Sequence, residues 1–205
     1  MQVTQISTPV MDAIMQRRSI RRYRREPVAR EAIQAVLEAA IWSPSAHNRQ
    51  PWRFAVIESQ SQKEFLAREM GARLRRDLRA DGVPEAIIES DTARSYDRIT
   101  SAPVLVALCL SMEDMDSYPD EKRSHSEYMM AVQSVAMAGQ NLLLAAHDAG
   151  LGTCWMCAPL FCPDVVLSAL DLPADWEPQA LLTLGYPAET REKTREPLDT
   201  KVIWR

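Results

Sequence analysis

The stretch SPSAHNRQPWRF, residues 43–54, lies between a segment with helical spacing and a segment that alternates like a strand. Pro44 and Pro51 bracket a run of serine, histidine, asparagine, arginine and glutamine, whereas connecting loops usually turn on glycine, aspartate or asparagine. The Ser43-Pro44 pair ends the helix, because the residue before a proline is disfavoured in the helical conformation. So many hydrogen-bonding side chains in one loop indicate that the loop contacts a polar ligand.

Outward from this loop, the spacing of apolar residues predicts six helices and four strands. Helices are predicted to begin at Thr8-Pro9 and at Pro27, and to cover residues 62–80, 84–100, 124–148 and 163–170. Strands are predicted at residues 52–57, 103–110, 153–156 and 179–187. The arginine-rich segment 62–80 predicts an exposed basic helix. Because helices and strands follow one another irregularly, an α+β fold is favoured over a doubly wound sheet.

Length and composition favour one domain over residues 1–205, since 205 residues with 46% apolar composition suffice for one substantial core. A net charge of −4 and a pI near 5.5 argue against a general nucleic-acid binder. The start of the chain lacks a secretory signal, and polar residues interrupt the apolar segment 126–149, so no membrane span is expected. Four cysteines without an export signal predict reduced thiols in the cytoplasm.

The segment RRSIRRYRR, residues 17–25, holds six arginines in nine residues. It is compatible with a nucleic-acid patch or with a solvated turn between two helices. A phosphate site is favoured, because guanidinium forks match phosphate oxygens and the Ser19 hydroxyl lies among them. Neither a G-x-G-x-x-G stretch after a strand nor a Walker A loop is present, which excludes the common dinucleotide and P-loop motifs.

The predicted helix over residues 124–148 is apolar nearly all round and too long for one small core to enclose. A second subunit is the economical way to cover it, so the sequence predicts a homodimer.

Other suggestive residues are expected to be structural. The pair Cys154 and Cys157 forms a single C-x-x-C, too few ligands for zinc, and we expect both thiols to be buried packing residues. His47 is as compatible with a solvated loop residue as with a substrate contact. We also expect core positions for the following tryptophans and methionines: Trp42, Trp52, Trp155, Met129, Met130 and Met137.

Three stretches together resemble the nitroreductase-like flavoproteins: RRSIRRYRREPV (17–28), AAIWSPSAHNRQPWRF (39–54) and GLGTCWM (150–156). The C-terminal half is most similar to the flavin domain associated with the ligase that glutamylates the deazaflavin coenzyme F-420. The resemblance implies a central, mostly antiparallel sheet flanked by helices, with the long helix at a dimer interface. It also implies bound FMN, with residues 190–205 as a tail that reaches the partner subunit.

The resemblance carries specific roles onto this chain. Arg17, Arg18 and Ser19 resemble the phosphate-binding triplet, and Arg21 resembles the cation at the pyrimidine edge of the flavin. A C-terminal K-x-R-x-P pattern that closes on the phosphate is matched by Lys193 and Arg195.

The opening loop also has a counterpart in the family. Pro44, Ser45 and Ala46 resemble the segment that lies against the flavin of the partner subunit. Asn48 and Gln50 either belong to the same wall or only brace the loop.

The strand end that contains Cys154 and Cys157 is the last implied contact. The four residues Trp155, Met156, Cys157 and Ala158 resemble the segment whose backbone meets the hydride-accepting nitrogen of the flavin. Well-known members carry an acidic residue and a glycine where this chain has Cys157-Ala158. The deazaflavin subgroup makes a further group on the basic helix candidate ligands: Arg73, Arg75, Arg76 and Asp77.

The sequence therefore predicts an FMN-dependent oxidoreductase that transfers hydride from NAD(P)H to a small-molecule acceptor such as a nitroaromatic, a quinone or an enone. No catalytic acid–base residue and no metal site are predicted, because the redox chemistry is the flavin's. A deazaflavin-linked reductase or binding domain and a non-catalytic flavin-binding module are the two alternatives.

Overall fold

The computed structural model describes residues 8–205, so part of the N-terminal segment in which no secretory signal is predicted lies outside the described residues. Its helices are α1 (Pro9–Gln16), α2 (Arg30–Ile41), α3 (Gln60–Ala80), α4 (Glu85–Thr100), α5 (Glu121–Asp148) and α6 (Pro163–Leu170). Its strands are β1 (Trp52–Ile57), β2 (Val104–Ser111), β3 (Gly152–Met156) and β4 (Trp176–Gly185). The predicted helices and strands are confirmed, with ends that shift by up to three residues.

The four strands form one antiparallel sheet in the order β1-β2-β4-β3. Strand β2 is buried along its whole length, because it is central and helices cover both faces. Its even-numbered residues, such as Val106 and Leu108, pack with α2 and α5. Its odd-numbered residues, such as Leu105 and Ala107, pack with α3, α4 and α6. The α+β fold predicted from the sequence is confirmed.

The helix ends follow local sequence. The Thr8 hydroxyl accepts a bond of 3.3 Å from the Met11 amide and caps α1, with Pro9 at the first helical position. Asp120 caps α5 in the same way by accepting a bond of 3.0 Å from the Arg123 amide, which places the helix start three residues before Ser124. Helix α2 begins at Arg30 rather than at Pro27.

Three expectations about burial are wrong. Helix α3 is not simply an exposed basic helix, because Leu66 and Met70 are buried against the sheet. Trp42 is 85% exposed in the single chain, whereas Trp52 is buried as expected. Met129 and Met137 are about 40% exposed on the outer face of α5, so they do not belong to the core of one chain.

Helix α5 is the longest element, with 28 residues. Its most apolar stretch has a mean hydropathy of 1.3, which by length and composition alone would be enough for a membrane span. In the structure its inner face packs on the sheet through Val135, Ala138 and Leu142. The same face also buries the carboxyl group of Glu127. This pattern is typical of a core helix.

Candidate functional site

The arginine segment 17–25 lies across the ends of two neighbouring strands. Ser19 pairs with Thr153 at the start of β3, and the Ile20 amide donates to the Thr153 carbonyl at 2.8 Å. Further along, the Arg24 amide donates to the Tyr186 carbonyl at 2.9 Å, just beyond β4. The backbone of the segment is therefore fixed to the sheet, while its charged side chains remain available.

Two observations explain the position of this segment. A Cβ atom on Gly152 would lie 2.9 Å from the Ile20 side chain, so only glycine permits the close approach of the segment to β3. The Tyr23 hydroxyl donates to the Ile20 carbonyl at 2.5 Å and bonds the Thr183 hydroxyl at 2.6 Å. Burial of the ring raises the pKa of Tyr23, so its hydroxyl stays protonated in this network.

The predicted phosphate-binding cations lie close together. Arg18 lines a cavity of about 550 Å³ with Glu192, Lys193 and Thr194. Burial lowers the pKa of Arg17, and the neighbouring positive charges of Arg195 and Arg18 lower it further. Within residues 8–205, Arg17, Arg18, Lys193 and Arg195 form no ion pair. Four clustered cations without carboxylate partners form a site that suits a phosphate group.

Arg18 supplies a second indication of an anion. Its Nη1 donates to the carbonyls of Met15 at 2.6 Å and Arg17 at 2.9 Å. Its Nε is buried and has no hydrogen-bond partner among the described residues. A buried guanidinium N–H without an acceptor costs free energy unless a ligand supplies one. The cations therefore fit the phosphate of a bound nucleotide cofactor.

Arg98 lies with Arg21 beside β3. The Arg21 amide donates to Glu189 Oε1 at 2.8 Å. Burial raises the pKa of the Cys154 thiol, and the guanidinium groups of Arg21 and Arg98 oppose the rise, so both lie near this thiol. The sequence prediction missed Arg98 because it lies on α4, far along the chain from the arginine segment, and carries no motif of its own.

The predicted strand-end contacts, Trp155 to Ala158, span the end of β3. The Trp155 indole N–H donates to Cys157 Sγ at 3.1 Å. Cys157 and Ala158 are exposed, so a ligand can reach their backbone.

The thiols differ from the expectation in one respect. Cys154 is buried as expected, but Cys157 is exposed because β3 has already ended at Met156. Burial also raises the pKa of Cys109, to about 12, so this thiol is unreactive near neutral pH. Among residues 8–205 no group of three or more His, Cys, Asp or Glu side chains is arranged to hold a metal ion.

The loop that follows α2 is held in an unusual conformation. His47, Asn48 and Gln50 have φ values of 51°, 56° and 53°, in the left-handed region. Such residues cost about 1–3 kcal/mol each and persist only where other contacts hold them. Here the Ser45 hydroxyl accepts from the Gln50 amide at 3.0 Å, and the Ala46 amide donates to the Ser134 hydroxyl of α5 at 3.3 Å.

Two ion pairs hold the loop and the start of β1 in place. Arg49 pairs with Asp116, and Arg53 pairs with Asp114 at 2.8 Å. The interactions of Asn48 and Gln50 are within the loop, including a long contact of 3.5 Å from Gln50 Nε2 to the Asn48 carbonyl. In the single chain both residues brace the loop. The fixed loop presents Pro44, Ser45 and Ala46 as a rigid surface.

One chain does not bring this loop to the clustered cations. The loop is attached to Ser134 in the middle of α5, whereas Arg17 and Arg18 share a cavity with His147 near the C-terminal end of α5. Thirteen residues at a rise of 1.5 Å separate the two attachment points by about 20 Å. The predicted site residues therefore form two groups on each chain: the cations with the β3 end, and the loop.

The residues proposed for a deazaflavin are engaged in ion pairs. Arg73 pairs with Asp164 of α6 at 2.5 Å. Arg75 forms a two-pronged pair with Glu89 of α4, at 2.9 and 3.1 Å. Arg76 pairs with its neighbour Asp77 at 3.3 Å. The pairs of Arg73 and Arg75 join α3 to neighbouring helices, whereas the Arg76–Asp77 pair lies within α3.

The sequence and the fold match known proteins. Residues 14–186 match the family model of the nitroreductase family. The NADH dehydrogenase of Thermus thermophilus is 32% identical over 225 residues, which cover 96% of this chain and 98% of that protein. The 5,6-dimethylbenzimidazole synthase of Rhodospirillum rubrum is 29% identical, covering 87% of this chain and 82% of that protein.

Solved structures agree. A Desulfovibrio desulfuricans protein assigned as a nitroreductase and solved in complex with FMN is 31% identical, with a TM-score of 0.75 and 98% of both chains covered. A BluB-like flavoprotein from Clostridium difficile shares the fold at 22% identity, with a TM-score of 0.81, over 97% of this chain and all of that one. The long match to the family model and the 32% identity to a full-length relative settle the classification. The chain belongs to the nitroreductase family.

Proposed function

We propose that the protein is an FMN-dependent oxidoreductase that takes hydride from NAD(P)H and passes it to a nitroaromatic, a quinone or an enone-like acceptor. The observation that carries the proposal is the cluster of unpaired cations, Arg17, Arg18, Lys193 and Arg195, near the start of β3, the strand whose other end leads into the exposed Cys157 and Ala158. Relatives named NADH dehydrogenase and a similar structure solved with FMN support the cofactor and the electron donor. Bound FMN supplies the hydride chemistry.

The side chains around the cofactor have electrostatic tasks in this proposal. Arg17, Arg18 and Ser19 bind the phosphate, together with Lys193 and Arg195 of the tail. The unpaired cations are suited to this because charge-assisted bonds to phosphate are about twice as strong as neutral ones.

Arg21 acts at the other end of the cofactor. A cation at the pyrimidine edge of the flavin stabilises the negative charge that hydride uptake brings, which lowers the free energy of reduction. The backbone of Trp155 to Ala158 meets the reactive edge of the ring. A backbone contact tolerates Cys157-Ala158 in place of an acidic residue and glycine, and no acid–base side chain is required.

We further propose a homodimer with two flavin sites at the subunit interface. The separation of about 20 Å along α5 between the attachment points of the loop and of the cations supports this arrangement, because the loop of a second chain could complete the site. The outward face of α5 carries Met129, Gln133, Met137 and Gln140 at helical spacing, all exposed in one chain. A second copy of α5 would cover them.

The tail supports the same proposal. Ile203 and Trp204 are 80% and 85% exposed in the single chain. Exposed large apolar side chains next to a polar segment are typical of a surface that another chain covers. In the dimer, the tail of each chain reaches the other subunit.

The phosphate site is tested by Arg17→Ala, with Arg24→Ala as the matched control. Arg24 lies in the same segment, but its guanidinium makes an exposed pair with Glu26. We expect Arg17→Ala to raise the dissociation constant for FMN at least tenfold, about 1.4 kcal/mol, and Arg24→Ala to change it little. Fluorescence titration of the apoprotein measures both. Equal and small effects of the two substitutions would mean that the arginine cluster is a solvated surface that does not bind the phosphate.

The dimer is tested by removing the chain from Pro197 onward. Because a ligand bound at an interface favours the assembled state, the shortened protein should dissociate and release flavin together. Sedimentation velocity with flavin absorbance recorded across the boundary follows both events. A full-length monomer that keeps one FMN per chain would contradict the interfacial site.

The catalytic activity has its own test. The purified protein should show a flavin spectrum and oxidise NADPH or NADH with menadione or nitrofurazone as acceptor. A protein that binds FMN but does not turn over is instead a non-catalytic flavin-binding module.

A deazaflavin-linked reductase is the second candidate, favoured by the stretch GLGTCWMCAPLF, residues 150–161. The pairs of Arg73 and Arg75 weigh against it, because the Arg73 side chain is only 19% exposed and Arg75 is held by both oxygens of Glu89, so a ligand would have to displace well-held carboxylates. The exposed Arg76–Asp77 pair is no obstacle. Titration with the deazaflavin, followed by its fluorescence, distinguishes the two candidates.

A further inference from the structure

A second basic surface lies between the arginine segment and α4. Five arginines line a cavity of about 710 Å³: Arg21, Arg22, Arg94, Arg98 and Arg191. We call this cavity the arginine groove. Asp97 is the one acidic side chain that lines it. A groove with this excess of positive charge stands out in a chain whose net charge is −4.

The arginines of the groove are poorly neutralised. Within residues 8–205, Arg21, Arg22 and Arg98 form no ion pair. Arg94 pairs with Asp91 and Arg191 pairs with Glu189, but half or nearly half of each arginine side chain is exposed. The Arg94–Asp91 pair is exposed on both sides and contributes about 0–1 kcal/mol, so a phosphate dianion can compete with Asp91. The Glu189 side chain is only 14% exposed and also interacts with the charge of Arg22, so it offsets part of the positive charge on its side of the groove.

The size and lining of the groove suit more than a single ion. A volume of about 710 Å³ falls within the usual range for sites that bind small organic ligands. Ser90 and Ser101 add hydroxyl groups that can bond sugar or phosphate oxygens. Cations combined with neutral hydroxyl donors are typical of a site for a phosphorylated sugar rather than for a carboxylate alone.

The groove also lies next to the proposed flavin site. Arg21 belongs to the groove, and Arg98 lies near the thiol of Cys154, three residues before Cys157, the first exposed residue after β3. None of the proposed phosphate ligands of FMN, Arg17, Lys193 and Arg195 among them, lines it. A ligand in the groove would therefore sit beside the flavin without occupying its phosphate site.

We propose that the arginine groove binds a phosphate group of the nicotinamide dinucleotide that donates hydride. The inference rests on the proposed function, because the donor is the phosphorylated substrate that must lie beside the flavin during hydride transfer. Two groups of the donor have this chemistry: the 2′-phosphate of NADPH, and the pyrophosphate that NADPH and NADH share.

Steady-state kinetics with FMN in excess test the proposal in the variants Arg22→Ala and Arg94→Ala. Arg30→Ala is the matched control, because Arg30 is exposed and lies outside the groove, at the start of α2. We expect each groove variant to raise the KM for the donor at least tenfold, with kcat and the dissociation constant for FMN unchanged. A rise for NADPH alone assigns the 2′-phosphate, and equal rises for NADPH and NADH assign the pyrophosphate.

A titration without turnover separates this inference from the proposed function. The holoprotein is titrated by calorimetry with adenosine 2′,5′-bisphosphate and with ADP. We expect at least one of them to bind, and its dissociation constant to rise at least tenfold in Arg94→Ala but not in Arg30→Ala. That result supports the groove even if neither donor is oxidised, in which case only the proposed function fails.

Three results would overturn the proposal. The first is that neither adenosine compound binds the holoprotein. The second is that binding and KM are the same in the groove variants as in Arg30→Ala. The third is that Arg22→Ala and Arg94→Ala lose FMN, which would make the groove a part of the cofactor site.

Discussion

Gly139 of α5 offers a sharp test of how tightly the long helix packs on the sheet beside the proposed site. A Cβ atom at this position would lie 2.2 Å from a ring carbon of Trp155 and 2.8 Å from Leu108 Cδ2. Gly71 of α3 is the matched control, because its nearest neighbour would be Arg75 Nη1 at 3.7 Å. Both glycines lie inside helices, so alanine gains about 1 kcal/mol of helix propensity at either position.

The difference between the two variants isolates the steric effect, since the propensity gain cancels. Forcing an extra methyl group into a packed core costs about 1–3 kcal/mol. For a chain of this size 1 kcal/mol corresponds to about 2–4 °C in Tm, so Gly139→Ala should melt roughly 2–12 °C below Gly71→Ala. Gly71→Ala should melt at or above the wild-type temperature.

The assay is thermal unfolding at one protein concentration with FMN in excess, because both assembly and ligand shift Tm. The Trp155 ring must move to admit the methyl group, so Gly139→Ala should also bind FMN more weakly. Equal Tm values for the two variants, both at or above wild type, would refute the reasoning. They would mean that the ring moves aside without cost.

Two further predictions concern single side chains. Cys157 is the one exposed thiol, so Ellman's reagent should modify one cysteine per native apoprotein chain. The Cys157→Ser variant should show no modified cysteine and should keep its flavin and activity. Reaction of three or four thiols would contradict this burial pattern. Burial lowers the pKa of Lys63, whose Nζ donates to two carbonyl groups at the start of β2, at 2.7 and 3.0 Å. Between the lowered and the ordinary pKa the unfolded chain holds a proton that the folded chain does not, so the free energy of unfolding should rise with pH in this alkaline window. Urea unfolding should show a smaller rise in Lys63→Met, and an equal rise would remove Lys63 as its source.

The parts of the fold that the sequence predicts are those with local causes. Thr8-Pro9 defines the start of α1 by a cap and a preset φ, and no distant residue is needed. The continuous apolar run of β2 predicts a strand buried on both faces, as observed. The start of α5 could also have been predicted from the sequence, because Asp120, four positions before the predicted start, is a strong N-capping residue.

The misjudged positions depend on tertiary structure. Trp42 continues the apolar spacing of α2, but the chain ends its helix there and leaves the ring on the surface. Leu66 and Met70 lie four residues apart on the buried face of α3. The many arginines around them made the whole segment look exposed in the sequence. Cys157 was expected to be a buried packing residue, but it lies just beyond the end of β3 and is exposed.

The candidate site shows the same division. The clustering of Arg17 and Arg18 with Lys193 and Arg195 was predicted from the family resemblance, and the structure brings these residues together. Arg98 could not be found in this way, because only the fold brings α4 to β3. Whether Asn48 and Gln50 touch a ligand stays a prediction, since in one chain their polar groups bond within the loop.

In this protein, ion pairing separates the arginines that join helices from the arginines proposed to bind phosphate. On α3, Arg73 and Arg75 each meet a carboxylate on a neighbouring helix, so their charge is neutralised and joins the helices. Around β3, by contrast, Arg17, Arg18 and Arg98 form no ion pair within residues 8–205. Like charges that are held together without counter-charges lower the free energy of unfolding, and a bound anion raises it again. This destabilisation is confined to the surroundings of the edge strand β3, where binding of a phosphorylated cofactor and of its hydride donor would offset it.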